Sequence, residues 1–194
     1  LPGEGGKGMG EIIAGAQSGD IEMVYLLGAD EFDTETLRNA FGVYQGHHGD
    51  AGASVADVIL PGSAYTEKNG LFVNTEGRVQ ASRLATFAPG DAREDWTILR
   101  ALSGALGKPL PFDDLGALRQ AMVASVPHMG GVDQIAAAEW ALPGIAGDMQ
   151  DAAFEPIINN YYMTCPISRT SKTMAECTEV YMAGSLDQAR EAAE

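Results

Sequence analysis

The sequence predicts an α/β fold built on a mostly parallel sheet, with one antiparallel hairpin and a loop-and-helix ending. Three observations carry this. Ile21–Leu27 is an almost unbroken apolar run closed by Gly28-Ala29-Asp30, the pattern of a strand buried on both faces. Two further short apolar runs, Phe41–Gln45 and Val55–Leu60, follow at spacings that leave room for only short connections, as in consecutive crossover units. Phe72-Val73 and Val79-Gln80 then flank Asn74-Thr75-Glu76-Gly77-Arg78, a turn in which Gly77 can take the left-handed conformation of a bulged hairpin.

Element by element, residues 1–20 are a glycine-rich lead-in, expected as a mobile loop or a cut edge. They make a poor phosphate loop, because Lys7 is followed by Gly8 and not by Ser or Thr. Asp33 or Thr34 can cap a short helix running through Ala40. The second strand covers Phe41–Gln45, a glycine-containing loop covers Gly46–Gly52, and Pro61-Gly62 stops the third apolar segment. Asp91, with Glu94 three residues later, predicts the start of a helix carrying Trp96, Leu99, Leu102 and Leu106 on one face and ended by Gly107 and Pro109. A further helix is expected from Asp113 or Asp114 to Val126, before Pro127. Residues 127–160 read as loops. Met174, Cys177 and Tyr181 mark a last helical face that Gly184 is expected to end, with Ser185 and Gln188 capping a final amphipathic piece. The domain division expected is a lead-in at 1–20, an α/β region at 21–110 and a helical, loop-rich segment at 111–194.

The 194 residues carry 12 basic and 27 acidic side chains, a formal charge of −15. That excludes a clustered Lys/Arg surface for nucleic acid and a polybasic patch for anionic lipid. An apolar fraction of 45% and a mean hydropathy of −0.06 are those of a chain that buries a core. No apolar run approaches the roughly 20 residues needed to cross a bilayer. Between Arg119 and Arg169 there is no Lys or Arg, while Asp133, Glu139, Asp148, Asp151 and Glu155 fall there. Such a block is a solvated acidic face or a docking surface for a basic protein. The start at Leu1 and not at Met fits a piece of a longer polypeptide.

Residue chemistry singles out few candidates. His47, His48 and Asp50 are the residue types of a facial metal triad, but neighbouring side chains of an extended segment point to opposite sides and work against a shared ion. The third histidine, His128, follows Pro127 in a loop. A non-metal role for this loop stays open, because ligands favour the C-terminal edge of a parallel sheet. Gly62-Ser63-Ala64 lacks the second half of a nucleophile elbow. Cys165 and Cys177 are too few for a disulfide framework or a cluster site, and read as reduced thiols. Cys165 has no basic neighbour nearer than Arg169, so nothing in the sequence lowers its pKa. Glu76, Arg78, Arg93, Glu94 and Asp95 read as local ion pairs at the hairpin and the helix entry. No catalytic, cofactor-binding or metal residue is assigned.

Longer motifs carry a resemblance. Tyr44-Gln45-Gly46-His47-His48-Gly49-Asp50, Ala56–Gly62, Tyr65-Thr66-Glu67-Lys68 and Val73–Gln80 closely resemble the family of the largest peripheral-arm subunits (the 75 kDa type) of NADH–quinone oxidoreductase, respiratory complex I. Ala56–Pro61 and Asn74–Gln80 are shared with the wider molybdopterin oxidoreductase superfamily. Ala92-Arg93-Glu94-Asp95-Trp96, Tyr161–Thr164, Pro166–Arg169 and Ser171–Met174 are similar to the complex I subunits in particular. The resemblance implies a C-terminal structural segment of a molybdopterin oxidoreductase-like layered fold, without cofactor of its own. The 2Fe–2S and 4Fe–4S clusters would sit in an N-terminal part of the subunit that these residues do not include. It further implies as partners the other peripheral-arm subunits and that N-terminal iron–sulfur domain, with no nucleic acid and no membrane insertion. The expected location is the cytoplasmic side of a bacterial inner membrane or the matrix side of the mitochondrial one. The competing reading is a fragment of a molybdopterin-dependent enzyme such as a formate dehydrogenase.

Overall fold

In a computed structural model of the chain, residues 5–137, 139, 147–149, 151–153 and 158–191 are described. They fall into two units, one holding residues up to His47 together with Ala51–Ala137, the other holding His48–Asp50 and the chain from Ala138 onward.

In the first unit half of the glycine-rich lead-in, residues 9–18, is helix and not loop. Met9–Ser18 forms helix α1, with the Glu11 carboxylate accepting the Gly8 N–H at 2.9 Å and Gly19 leaving the helix at φ +84°. Glycine spacing hid this helix, whose apolar Ile12, Ile13 and Ala16 supply the stripe that tertiary packing rewards. Strand β1, Met23–Leu27, follows. Asp33 then accepts the Glu35 N–H at 3.2 Å, as expected of a cap, but opens only a 3-10 turn at Thr34–Leu37. The turn stops short of Ala40 because Phe41 already donates to Glu22 O at 2.8 Å, beginning strand β2, Phe41–Gly46. Helix α2, Ala51–Val55, occupies the start of the expected third apolar segment, and strand β3 covers only Val58–Pro61.

The three strands form a parallel sheet in the order β1-β2-β3, with Tyr25 opposite Val43 and Val43 opposite Val58. Alternation sends Val24, Leu26 and Tyr44 to one face, where they pack with Ala16 of α1, Leu37 of the 3-10 turn and Ala40. Helix α2 covers Tyr44 on that same face, and only a glycine fits there: a Cβ on Gly52 would lie 2.6 Å from the Tyr44 ring. On the other face Val43 and Gln45 are buried, while Met23, Leu27 and Phe41 remain about half exposed.

The hairpin is as expected. Strands β4, Gly70–Val73, and β5, Val79–Ser82, pair antiparallel with Val73 opposite Val79. Asn74 Oδ1 accepts from Glu76 N and Arg78 N, and Gly77 takes φ +82°. Helix α3 spans Asp95–Ala105. The expected cap by Asp91 does not form: residue 94 is the N-cap, and its carboxylate accepts the Trp96 indole N–H at 2.8 Å. The chain before it is held instead by Arg93, whose backbone bonds Pro61 O and Ser63 N beside the end of β3. Gly107 ends α3 at φ +71°. Helix α4, Leu115–Ser125, is capped by Asp114, which accepts the Ala117 N–H at 2.8 Å.

In the second unit a short helix α5, Pro166–Arg169, precedes α6, Lys172–Glu191. Gly184 and Ser185 do not interrupt α6; a glycine in mid-helix costs only about 1 kcal/mol against Ala. The Tyr162 and Tyr181 rings stack with centroids 6.2 Å apart. Among the described residues no helix is long and apolar enough to cross a membrane. Of the acidic block, Asp133, Glu139, Asp148 and Asp151 are exposed; Glu155 lies outside the described residues.

Candidate functional site

The C-terminal ends of β1 and β2 open onto a cleft of about 220 Å³ lined by Leu27, Gly28, Gln45, Gly46, His47, Lys68 and Asp95. Gln45 lies at its base, completely buried. Its Nε2 donates to Asp95 Oδ1 at 2.9 Å and to Asp95 O at 3.3 Å. Its Oε1 accepts the Tyr25 hydroxyl, which reaches diagonally across from the neighbouring strand. The other Asp95 oxygen accepts from the Lys68 ammonium. Every donor and acceptor of this buried amide is thereby matched to a fixed partner, as burial requires.

Asp95 can enter because the residue that follows β3 is a glycine. A Cβ on Gly62 would stand 2.7 Å from Asp95 Oδ1, so any other residue would push the carboxylate away from Gln45. Burial, with the Asp95 charge adding to it, raises the Tyr25 pKa above the usual phenol value, which keeps its proton available to Gln45. Chemically the arrangement is a closed relay of hydrogen bonds ending in an ion pair. It ties β1, β2 and the start of α3 together.

Of the residues singled out from sequence, His47 and Asp95 line this cleft. His48 and Asp50 belong to the second unit, where Asp50 pairs with Arg169. His128 Nε2 lies 2.5 Å from Gly77 O and fastens the hairpin turn. Ser63 is buried, and among the described residues no partner reaches its Oγ, so no base is placed to activate it. Among the described residues no three or more His, Cys, Asp or Glu side chains converge to hold a metal.

Two sequence readings are corrected. Asp95 is no local ion-pairing residue; its partners lie 27 and 50 positions away. The Cys165 thiol does have its pKa lowered. It sits at the N-cap of α5, 3.4 Å from Ser168 Oγ, and hydrogen bonding from the Ser168 side chain and backbone is the main cause, with Ile167 N–H and the Arg169 charge adding to it. The Gln45–Asp95–Lys68 relay was missed, although Gln45 in an otherwise apolar strand was a visible signal of a buried polar partner.

The fold belongs to a known class. Residues 3–105 match the sequence profile of the molybdopterin oxidoreductase family, and the chain is a member of it. Residues 125–177 match a second profile, which describes the C-terminal region of the G-type chain of NADH-ubiquinone oxidoreductase. Its homologues are complex I subunits. The chain is 49% identical over 162 residues to the NADH-ubiquinone oxidoreductase 75 kDa subunit of Reclinomonas americana, a match covering 81% of this chain and 23% of that protein. It is 49% identical over 171 residues to the mitochondrial 78 kDa subunit of Candida albicans, covering 82% and 24%. With the mitochondrial NADH dehydrogenase (ubiquinone) iron-sulfur protein 1 of Solanum tuberosum it shares 45% over 161 residues, 81% of this chain and 22% of the other. The chain thus spans about a quarter of the length of these relatives. Acetylene hydratase from Pelobacter acetylenicus is similar to it at a TM-score of 0.47 and 16% identity, over 61% of this chain and 18% of that one.

The family's name implies a phosphate-bearing pterin. The residues at this sheet edge do not fit one. Lys68, the one Lys or Arg side chain lining the cleft, is already matched by Asp95. The Asp95 carboxylate would face any bound phosphate with a like charge, whereas phosphate sites gather free N–H groups and cations.

Proposed function

We propose that this chain is the C-terminal structural and interaction segment of the large peripheral subunit of NADH–quinone oxidoreductase, and that it does no redox chemistry itself. The whole subunit takes part in passing electrons from NADH to quinone through 2Fe–2S and 4Fe–4S clusters carried N-terminal to these residues, coupled to proton translocation by other subunits. No catalytic, cofactor-binding or metal residue is assigned within the chain. Its partners are that N-terminal iron–sulfur domain and neighbouring peripheral-arm subunits, on the cytoplasmic face of a bacterial inner membrane or the matrix face of the mitochondrial one. The α/β region at 21–110 is the scaffold, and the segment at 111–194 its helical extension.

The observation that carries this reading is the identity of 49% across 162 residues with a 75 kDa complex I subunit. The closed Gln45–Asp95–Lys68 relay supports a scaffold over a cofactor site, since it spends the edge's polar groups on each other. The half-exposed Met23, Leu27 and Phe41 support an interaction role, because parallel sheets are ordinarily covered on both faces. Metal and pterin analysis of the purified parent subunit tests it. Iron with cluster signals in electron paramagnetic resonance, and no stoichiometric molybdenum or pterin, is the expected result; bound pterin would establish the enzyme reading instead.

A further inference from the structure

We propose that a cavity between strand β4 and helices α3 and α4 binds a small organic monocarboxylate with an apolar, aromatic-sized body, its carboxylate paired with Arg119. The proposal goes beyond the scaffold role and rests on the geometry of the first unit alone.

The cavity holds about 300 Å³, at the lower end of the range for small-molecule sites. Leu71 and Phe72 of β4 wall it on one side, and Trp96 of α3 on another. A Cβ on Gly70 would lie 2.8 Å from the Phe72 ring, so the glycine lets that ring lie back along the strand. Helix α4 supplies the rest with Leu115, Leu118, Arg119 and Met122. Their spacing of i, i+3, i+4 and i+7 is one face of a helix. That face is an apolar stripe with a guanidinium set into it.

The guanidinium is the telling feature. Arg119 is half-buried, and among the described residues no carboxylate or carbonyl oxygen accepts from it. Desolvating a charge without a partner is costly. The chain has 27 acidic side chains for 12 basic ones, yet none of the described acids is spent on this one. The two carboxylates lining the cavity are engaged otherwise. Asp95 takes Lys68 and Gln45, and Glu94 takes the Trp96 indole N–H at the start of α3.

A second donor lines the same cavity. Asn69 Oδ1 accepts the Leu84 N–H at 3.2 Å, which fixes which end of the amide is which. Among the described residues nothing accepts from its Nδ2. The cavity thus offers unmatched donors, while its acidic groups already have partners. What it lacks is an acceptor carrying one negative charge.

A carboxylate supplies that acceptor in the right shape, because a planar guanidinium meets its two oxygens with two parallel N–H···O bonds. A phosphate dianion fits less well, since its second charge would face Glu94 and Asp95 with no further free cation to offset it. Phe72, Trp96 and Met122 then receive an apolar body, with aromatic surface on two of the three.

The test uses the intact full-length protein, alone and with its partner proteins assembled. Hydrocinnamate is titrated in, with hydrocinnamyl alcohol as the control that keeps the body and loses the charge. A diazirine-bearing benzoate maps the site, its adducts located by mass spectrometry. Saturable binding of the acid is expected, with the alcohol weaker by about tenfold or more. The label should fall on the peptides that carry Phe72 or Met122, with and without partners, and excess hydrocinnamate should suppress it. Arg119→Met keeps most of the stem and should weaken the acid by about tenfold or more, with Arg119→Lys in between. Equal binding of acid and alcohol overturns the proposal, as does unchanged affinity in Arg119→Met. So does the absence of saturable binding, or label found only outside this cavity; both are read in the unsubstituted protein and need no variant to fold. Labelling lost once the partners are assembled would put a partner's carboxylate on Arg119, and overturns the small-molecule site. Iron content and quinone reduction do not enter these readouts, so a failure of the complex I reading would leave them unchanged.

Discussion

Gln45 and Asp95, fifty positions apart, meet at 2.9 Å between an amide nitrogen and a carboxylate oxygen, and this bond joins the middle strand of the sheet to the first residue of α3. It is the inner link of the relay from Tyr25 to Lys68. It therefore sets what substitutions at this edge will do.

Gln45→Ala leaves the Tyr25 hydroxyl and the inner Asp95 oxygen without their partner in a buried place, besides opening a small cavity. Burying one unsatisfied group costs about 1–3 kcal/mol, and a loss at the upper end of that range is expected in urea denaturation of the variant. Gln45→Glu should be worse still, since it sets a second carboxylate against Asp95.

Gly52→Ala tests the contact between α2 and the sheet. The new methyl would meet the Tyr44 ring at 2.6 Å and the Asp30 Cβ at 3.0 Å, and Tyr44 is 2% exposed with no room to withdraw. Overpacking of this kind costs about 1–3 kcal/mol. Gly10→Ala is the contrasting case: Gly10 is an exposed position of α1 with nothing within 4 Å of an added Cβ. Relief of backbone entropy there should stabilise by about 0.5–1 kcal/mol, so the two midpoints move in opposite directions.

Helix entry offers a third comparison. Asp114→Ala removes the acceptor of the Ala117 N–H and should cost about 0.5–2 kcal/mol. Asp91→Ala removes no cap bond, and a surface change of that kind stays within about 0.5 kcal/mol. Equal losses at the two positions would contradict the capping assignment.

The Cys165 thiol should alkylate with a pH midpoint below that of an ordinary thiol, read with Cys177→Ser so that one thiol reports. The cause is Ser168, so Ser168→Ala should move the midpoint upward. The sign for stability follows. A depressed thiol pKa in the folded state means that the thiolate contribution is fully present above the unfolded thiol pKa, and is lost as pH falls through the folded value.

Much of the fold was legible from local pattern. The runs at Ile21–Leu27 and Phe41–Gln45 became β1 and β2 because apolar β-rich segments closed by glycine have few other uses. The hairpin was readable because Asn74 and Gly77 carry its turn chemistry within five residues. Helix α1 was hidden by its own glycines, and α2 by its brevity; both depend on what they pack against. His47 and His48 drew attention by residue type, while the relay at the sheet edge is built from Gln45, Lys68 and Asp95.

The sequence by itself determined the class of fold, the family resemblance and the acidic character of the surface, since each is written in short-range pattern or in composition. Only the tertiary structure decided which polar groups meet. Hydrogen bonds and ion pairs between residues 27, 50 or 119 positions apart follow from how strands and helices stack, and stacking is set by side-chain volume and by the few glycines that let two elements touch. Gly62 and Gly52 are where that choice is visible: each admits a neighbour that any larger residue would have kept out.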